Sequence, residues 1–191
     1  VSASLGDWVR VLNEGRPFFH LADLMKLGHL ERDAARKAAQ RLLARRLLLR
    51  VGPELYANGL RPPSLEAAAC ALRPAYISLE HALFLHGVLD QAPAVVTCVT
   101  LGRPGRVTTG LGELEFHRIA PRLYTGFEAT PSGLLATPEK ALLDLAYLRR
   151  LQHEREPFGE PNLENLNRET LTERAAAFPS TVQRWVNDLW R

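Results

Sequence analysis

Glu31-Arg32-Asp33-Ala34-Ala35-Arg36-Lys37-Ala38-Ala39-Gln40-Arg41-Leu42-Leu43-Ala44-Arg45 is the stretch whose reading decides the fold. Placed at about 100° per residue, Ala34, Ala35, Ala38, Ala39, Leu42 and Leu43 share one side, while Arg36, Lys37, Gln40 and Arg41 share the other with Arg32 at its edge. The alanines predict a helix that sits close to its neighbours. The opposite face carries long hydrogen-bond donors interrupted by one carboxylate, Asp33. From Arg32 to Arg50 there are seven Lys/Arg against that single acidic residue. A small inner face under a donor-rich outer face suits a helix that reads DNA, because the major groove presents acceptors on base edges between two rows of phosphates.

A basic helix by itself is ordinarily a solvated surface, so the flanks decide. Upstream, Pro17 to Gly28 reads as a short helix closed by Gly28. Downstream, Leu47 to Val51, the Gly52-Pro53-Glu54 turn and Leu55 to Ala57 read as a hairpin. Ser4 to Asn13 fits a preceding helix, with Ser4 as N-cap and Leu5, Trp8, Val9 and Leu12 on one stripe. Residues 5 to 58 therefore resemble the winged helix-turn-helix domain of bacterial regulators. Such domains often carry glycine where the reading helix turns into the wing; here Arg45 and Arg46 stand instead. A left-handed arginine at that exit costs about 1 kcal/mol. On this resemblance Arg36 and Gln40 are the candidates for base edges. Arg32, Lys37, Arg41 and Arg45 flank them, and Arg50 with the turn is expected near a phosphate or the minor groove.

Charge follows the same division. The chain of 191 residues has a formal net charge of +3, yet residues 1 to 60 carry ten Lys/Arg against six Asp/Glu, and residues 61 to 191 carry fourteen against fifteen. The positive charge lies where a DNA footprint is expected. Asn58-Gly59-Leu60-Arg61-Pro62-Pro63 interrupts the chain, which predicts a winged-helix domain over 1–60 and a second domain over 64–191. Hydrophobic content of 46% and charged content of 24% are those of a soluble globular protein. No run approaches the ~18 apolar residues of a membrane span, and no signal-peptide pattern is present. The chain begins with valine, which suggests a start within a longer protein. Cys70 and Cys98 have no metal-ligand spacing and are expected as buried thiols in a reducing cytoplasm.

The second half reads as α+β with a small sheet. Ser64 caps a helix over 65–72, and Ser78 caps one over 79–86 closed by Gly87. Ala94 to Leu101 is a β-branched strand, Gly102 to Gly110 a loop, and Glu113 to Ile119 a second strand. Further strands are expected at 122–127 and 133–136. Thr137-Pro138-Glu139-Lys140 starts a helix to about Arg150, with Lys140 and Asp144 as an intrahelical pair. His153 to Pro161 reads as an exposed loop, followed by helices over 167–177 and 180–190.

Tyr76-Ile77-Ser78-Leu79-Glu80-His81-Ala82-Leu83-Phe84-Leu85-His86-Gly87, then Val95 to Thr100, then Phe116-His117, then Ala136-Thr137-Pro138-Glu139-Lys140-Ala141-Leu142-Leu143-Asp144-Leu145 follow one another in order. That succession resembles the AbiEi family, the antitoxins of type IV toxin–antitoxin systems, over about residues 10 to 150. The resemblance implies an N-terminal domain that represses its own operon on double-stranded operator repeats, where dimeric or cooperative binding can occur. It also implies a C-terminal domain that counters a nucleotidyltransferase toxin, without need of a stable complex between the two. The alternative is a regulator of the same layout whose second domain senses a ligand or partner. Catalytic and metal motifs are absent. His81 and His86 are five apart, His117 lies in a strand, and there is no H-E-x-x-H, G-x-S-x-G or P-loop. Gly102-Arg103-Pro104-Gly105-Arg106 fits an inter-strand loop better than a phosphate cradle. No cofactor is expected, and an enzyme is not.

Overall fold

The computed structural model describes residues 3–151 and 161–190. Its helices and strands form an α+β chain that divides into two units, Val1–Arg73 with Val107–Glu113, and Pro74–Arg106 with Leu114–Arg191.

In the first unit, helix α1 (Leu5–Asn13) starts at a capping box. The Ser4 amide and hydroxyl donate to Asp7 at 2.9 and 2.7 Å, and the Asp7 amide donates back to Ser4 Oγ at 3.2 Å. These bonds hold the Asp7 carboxyl below its usual range, so the cap is intact at neutral pH and is lost as pH falls through the folded-state value. Trp8 and Leu12 are buried, whereas Leu5 is 47% exposed and lies off the core. The segment after Pro17 is not helical from its start. Phe18–His20 forms strand β1, and helix α2 covers Leu21–Gly28. The two aromatics fill the open edge of a later strand and bury Phe19, a gain that no local helix could match. Gly28 is the last helical residue, and the left-handed position falls to His29 at φ 49°. Glycine is needed at 28 for room: a Cβ there would lie 2.8 Å from Leu30 Cδ1 and 2.9 Å from Trp8 Cζ2.

Helix α3 (Arg32–Ala44) runs between Glu31 and Arg45 as caps and buries Ala35, Ala38, Ala39 and Leu42 against Trp8, Leu12, Leu21 and Leu24. Strands β2 (Leu48–Arg50) and β3 (Leu55–Asn58) form the expected hairpin, and β1 joins it in the order β1-β3-β2, all antiparallel. The exit from α3 is left-handed at Arg46, φ 57°. The glycine that relieves this exit stands across from it: a Cβ on Gly59 would lie 2.0 Å from the Arg46 carbonyl oxygen. Beside it, buried Asn58 makes four bonds. Its Nδ2 donates to the Leu12 and Arg16 carbonyls at 2.8 and 3.1 Å, and its Oδ1 accepts from the Leu60 and Arg61 amides at 3.0 and 3.2 Å.

The Pro62-Pro63 break does not end this unit. Helix α4 (Leu65–Leu72) places Ala68 with Val51, Leu55 and Ala57, and Leu72 and Leu111 pack beside them. The first unit therefore reaches Arg73 and includes Val107–Glu113, beyond the expected limit of 60. A break in local conformation is not a break in packing.

The second unit contains strand β4 (Tyr76–Ile77), helix α5 (Leu79–Leu85) and strand β5 (Val96–Thr100). Strands β6 (Gly105–Thr108), whose last two residues are counted with the first unit, and β7 (Glu113–Arg118), which belongs to the second from Leu114 on, follow, then β8 (Phe127–Thr130) and β9 (Gly133–Ala136). Six strands align as β6-β7-β5-β4-β9-β8, with β5–β7 and β4–β9 parallel, a larger sheet than expected. The expected loop over 102–110 contains β6, which is exposed except at half-buried Val107 and so shows no apolar alternation. The expected strand over 122–127 is instead a 3-10 turn at Pro121–Leu123, and the chain resets through Gly126 at φ 78° before β8. Helix α6 (Pro138–Leu151) is buried at every position from Glu139 to Ala146, the pattern of a helix enclosed on all sides. Helices α7 (Arg168–Ala175) and α8 (Ser180–Asp188) close the unit. The expected loop at His153 to Pro161 lies, apart from Pro161, outside the described residues.

Gly59→Ala is expected to lower the stability of the first unit by about 1–3 kcal/mol, since backbone atoms must move to admit the methyl group. Gly6→Ala, in α1 where a Cβ meets only Ser4 Oγ at 3.7 Å, should be neutral or stabilising. Urea midpoints of both variants check this; equal midpoints refute the close approach at Gly59.

Candidate nucleic-acid interface

The outward row of α3 is fixed by what the inner row buries. With Ala35, Ala38, Ala39 and Leu42 inside, Arg36, Lys37, Gln40 and Arg41 are exposed, and Arg45 is exposed at the C-cap. Among the described residues Lys37, Arg41 and Arg45 form no ion pair, so three cations face solvent along one side of the helix. Arg46, left-handed and exposed, extends the row by one residue that motif reading did not include.

Arg32 and Arg36 are placed differently. The Arg32 guanidinium pairs with Glu54 Oε1 in the hairpin turn. Arg36 Nη2 lies 3.5 Å from the same oxygen, and its Nη1 lies 3.4 Å from Asp33 Oδ1. Glu54 thus joins the turn to the first two cations of the helix. The sequence marks Glu54 as part of the turn but not as a partner of α3, because pairing across the turn depends on the angle at which the hairpin leaves the helix. Arg50 stays on its own hairpin: Nη1 donates to the Pro53 carbonyl at 3.3 Å, and the guanidinium lies 5.6 Å from the Tyr56 ring centroid. A groove of about 280 Å³, lined by Leu5, Trp8 and Ala38, also touches Arg41 and Arg45.

The second unit holds its polar groups inside. Lys140 and Asp144 form the expected pair one helical turn apart, but their side chains are only 3% and 0% exposed. Asp144 Oδ2 accepts from Tyr76 Oη at 2.8 Å and from Ser78 Oγ at 2.9 Å, and Lys140 Nζ also donates to Tyr76 Oη at 2.9 Å. Ser78 therefore spends its hydroxyl on Asp144 rather than on capping α5. Burial pushes the Asp144 carboxyl up and the Lys140 ammonium down, and the pairing opposes both shifts. Burial, with the charge of Asp144 beside it, also drives the Tyr76 hydroxyl well above its usual range. The Tyr76 ring stacks on Phe127 with centroids 4.6 Å apart and meets Tyr124 edge-on at 5.1 Å. So enclosed, the cluster links β4 and the start of α5 to α6 and offers no face to a substrate.

A cleft of about 420 Å³ opens elsewhere in this unit, lined by Leu79, Pro93, Val95 and Leu145 with Glu80, Glu115, His117 and Arg149. Arg149 pairs with Glu80 at 3.1 Å, and Arg106 with Glu115 at 2.9 Å. Among the described residues no group of three or more His, Cys, Asp or Glu could hold a metal ion, and no helix is long and apolar enough to cross a membrane. Cys70 and Cys98 form no disulfide; Cys98 is buried, and Cys70 is only partly so.

Lys140→Met should destabilise the second unit by about 3–5 kcal/mol, because it strands a buried carboxylate. Lys140→Met combined with Asp144→Leu should recover much of that loss. Denaturant titration of the two variants tests this, and a double variant no more stable than the single one counts against an ionised pair. In comparisons with known proteins, no family model and no curated protein matches the chain.

Proposed function

We propose that this chain is a DNA-binding antitoxin of the AbiEi type, whose first unit acts as a winged helix-turn-helix on operator DNA. The observation that carries the DNA reading is the outer face of α3, where Lys37, Gln40 and Arg41 lie exposed in succession with Arg45 beyond them. Their alanine-lined reverse face keeps the helix close to its support, and the adjoining hairpin has the order a wing requires. The antitoxin reading rests on the ordered motifs from Tyr76 to Leu145. In that reading the second unit counters a nucleotidyltransferase toxin by recognition rather than by catalysis.

Titration of the full chain with duplexes from its own upstream region tests the first role. Arg36→Ala or Gln40→Ala should each cost about 1–3 kcal/mol on the operator and less on unrelated duplex. Lys37→Ala should weaken all duplexes alike and reduce the salt slope by about one. Operator affinity unchanged in an Arg36→Ala, Gln40→Ala double variant places the reading head elsewhere.

Co-expression with the product of the adjacent reading frame tests the second role. Full-length chain carrying Lys37→Glu and Arg41→Glu should lose repression yet still rescue growth. Loss of rescue in a folded variant joins the two roles. A harmless neighbouring product favours the second reading, a regulator that senses a ligand, for which the charged and apolar cleft beside Glu80 and Arg149 is the supporting observation.

A further inference from the structure

Glu54 is a carboxylate set against a face that otherwise gathers cations. Its backbone is fixed, since the Glu54 carbonyl accepts from the Leu21 amide at 2.9 Å at the start of α2. Its side chain reaches Arg32 and Arg36 from the turn, while Asp33 meets Arg36 from the preceding turn of the helix. Glu54 and its two partners are each about half exposed, with side-chain exposures of 56% for Arg32, 51% for Arg36 and 44% for Glu54. Exposed pairs of this kind contribute little to folding. Their effect falls on whatever else would bind the guanidiniums.

We propose that Glu54 is a specificity-determining residue of the DNA-reading face, one that withholds Arg32 and Arg36 from phosphates and holds Arg36 oriented for a base edge. This rests on the DNA-binding reading of α3. A phosphate approaching either guanidinium must replace a carboxylate already in place and meet its repulsion, so unrelated duplex gains little from these two cations. A guanine edge is neutral and asks for two parallel donors. Arg36 has five N–H groups, and those left over by Asp33 and Glu54 remain for such an edge while the two carboxylates limit rotation of the guanidinium. Glu54 therefore subtracts from sequence-independent attraction more than from readout. Lys37, Arg41 and Arg45 have no such restraint among the described residues and supply the sequence-independent part.

Full-length Glu54→Gln and Glu54→Ala, compared with wild type on operator and on unrelated duplex across a salt series, test the proposal. Both variants should melt as wild type does. Each should bind unrelated duplex about three- to tenfold more tightly, with a salt slope steeper by about one, and gain less on operator, so that the ratio of the two affinities falls. Equal gains on both duplexes, or none, overturn the role of Glu54 while leaving DNA binding intact, provided Lys37→Ala still flattens the slope. Weaker operator binding with no gain on unrelated duplex assigns Glu54 to orientation alone and overturns the withholding. Failure of wild type and all variants to bind any duplex removes the DNA reading and this proposal with it.

Discussion

Three alanines set the geometry on which the first unit depends. Ala35, Ala38 and Ala39 bring the α3 backbone close to Trp8, Leu12, Leu21 and Leu24, with Leu42 completing the buried face, and the long polar side chains of the helix are thereby turned outward. A close-packed helix of small residues has little tolerance for displacement, since filling even one methylene disturbs a dense interior. The same economy of space recurs at Gly28 against Trp8 and at Gly59 against the Arg46 carbonyl. Asn58 then fixes the chain where β3 ends, joining the end of α1, the approach to β1 and the exit past Leu60 through one saturated amide. Such a fully bonded buried amide specifies one arrangement, because any other leaves its partners unsatisfied.

The second unit solves a different problem. Its central helix α6 is surrounded, so the charges of Lys140 and Asp144 cannot reach water and must be met within. Tyr76 and Ser78, from the strand and cap that precede α5, supply the remaining donors. An ion pair in such a place contributes little net stability, but it penalises every packing that separates its members. The motif running from Tyr76 to Gly87 and the motif from Ala136 to Leu145, about sixty residues apart in sequence, therefore meet at one carboxylate. Their co-occurrence has a physical basis apart from any catalytic role.

The charge on α3 is less uniform than its composition. Counting gives an almost unbroken basic stretch, while pairing divides it into Arg32 and Arg36, held by carboxylates, and Lys37, Arg41 and Arg45, which are not. This division bears directly on how such a face would balance phosphate attraction against base readout. It arises from Asp33 within the helix and from Glu54 in the hairpin turn, outside the helix whose behaviour it alters.

Local pattern by itself determined the existence and type of most elements. The alanine and arginine faces of α3, the Ser4 and Ser64 caps, the Gly52-Pro53-Glu54 turn, the β-branched run of β5 and the Thr137-Pro138 start of α6 are all signals carried within a few residues. Tertiary structure decided what depended on distant partners. Phe18–His20 is a strand because β3 has an open edge, and β6 is a strand because β7 accepts it, though neither shows a pattern of its own. Helix α4 joins the first unit across two prolines because Val51 and Ala57 offer its Ala68 a place to pack. The positive φ of Arg46 is tolerated because Gly59 leaves its carbonyl room. The spacing of Lys140 and Asp144 announced a pair, yet its burial follows from the sheet and helices around α6, and the hold of Glu54 on Arg32 and Arg36 follows from the angle of the hairpin. Sequence reports what neighbours along the chain prefer, whereas edges, close approaches and ion pairs between elements exist only once those elements have met.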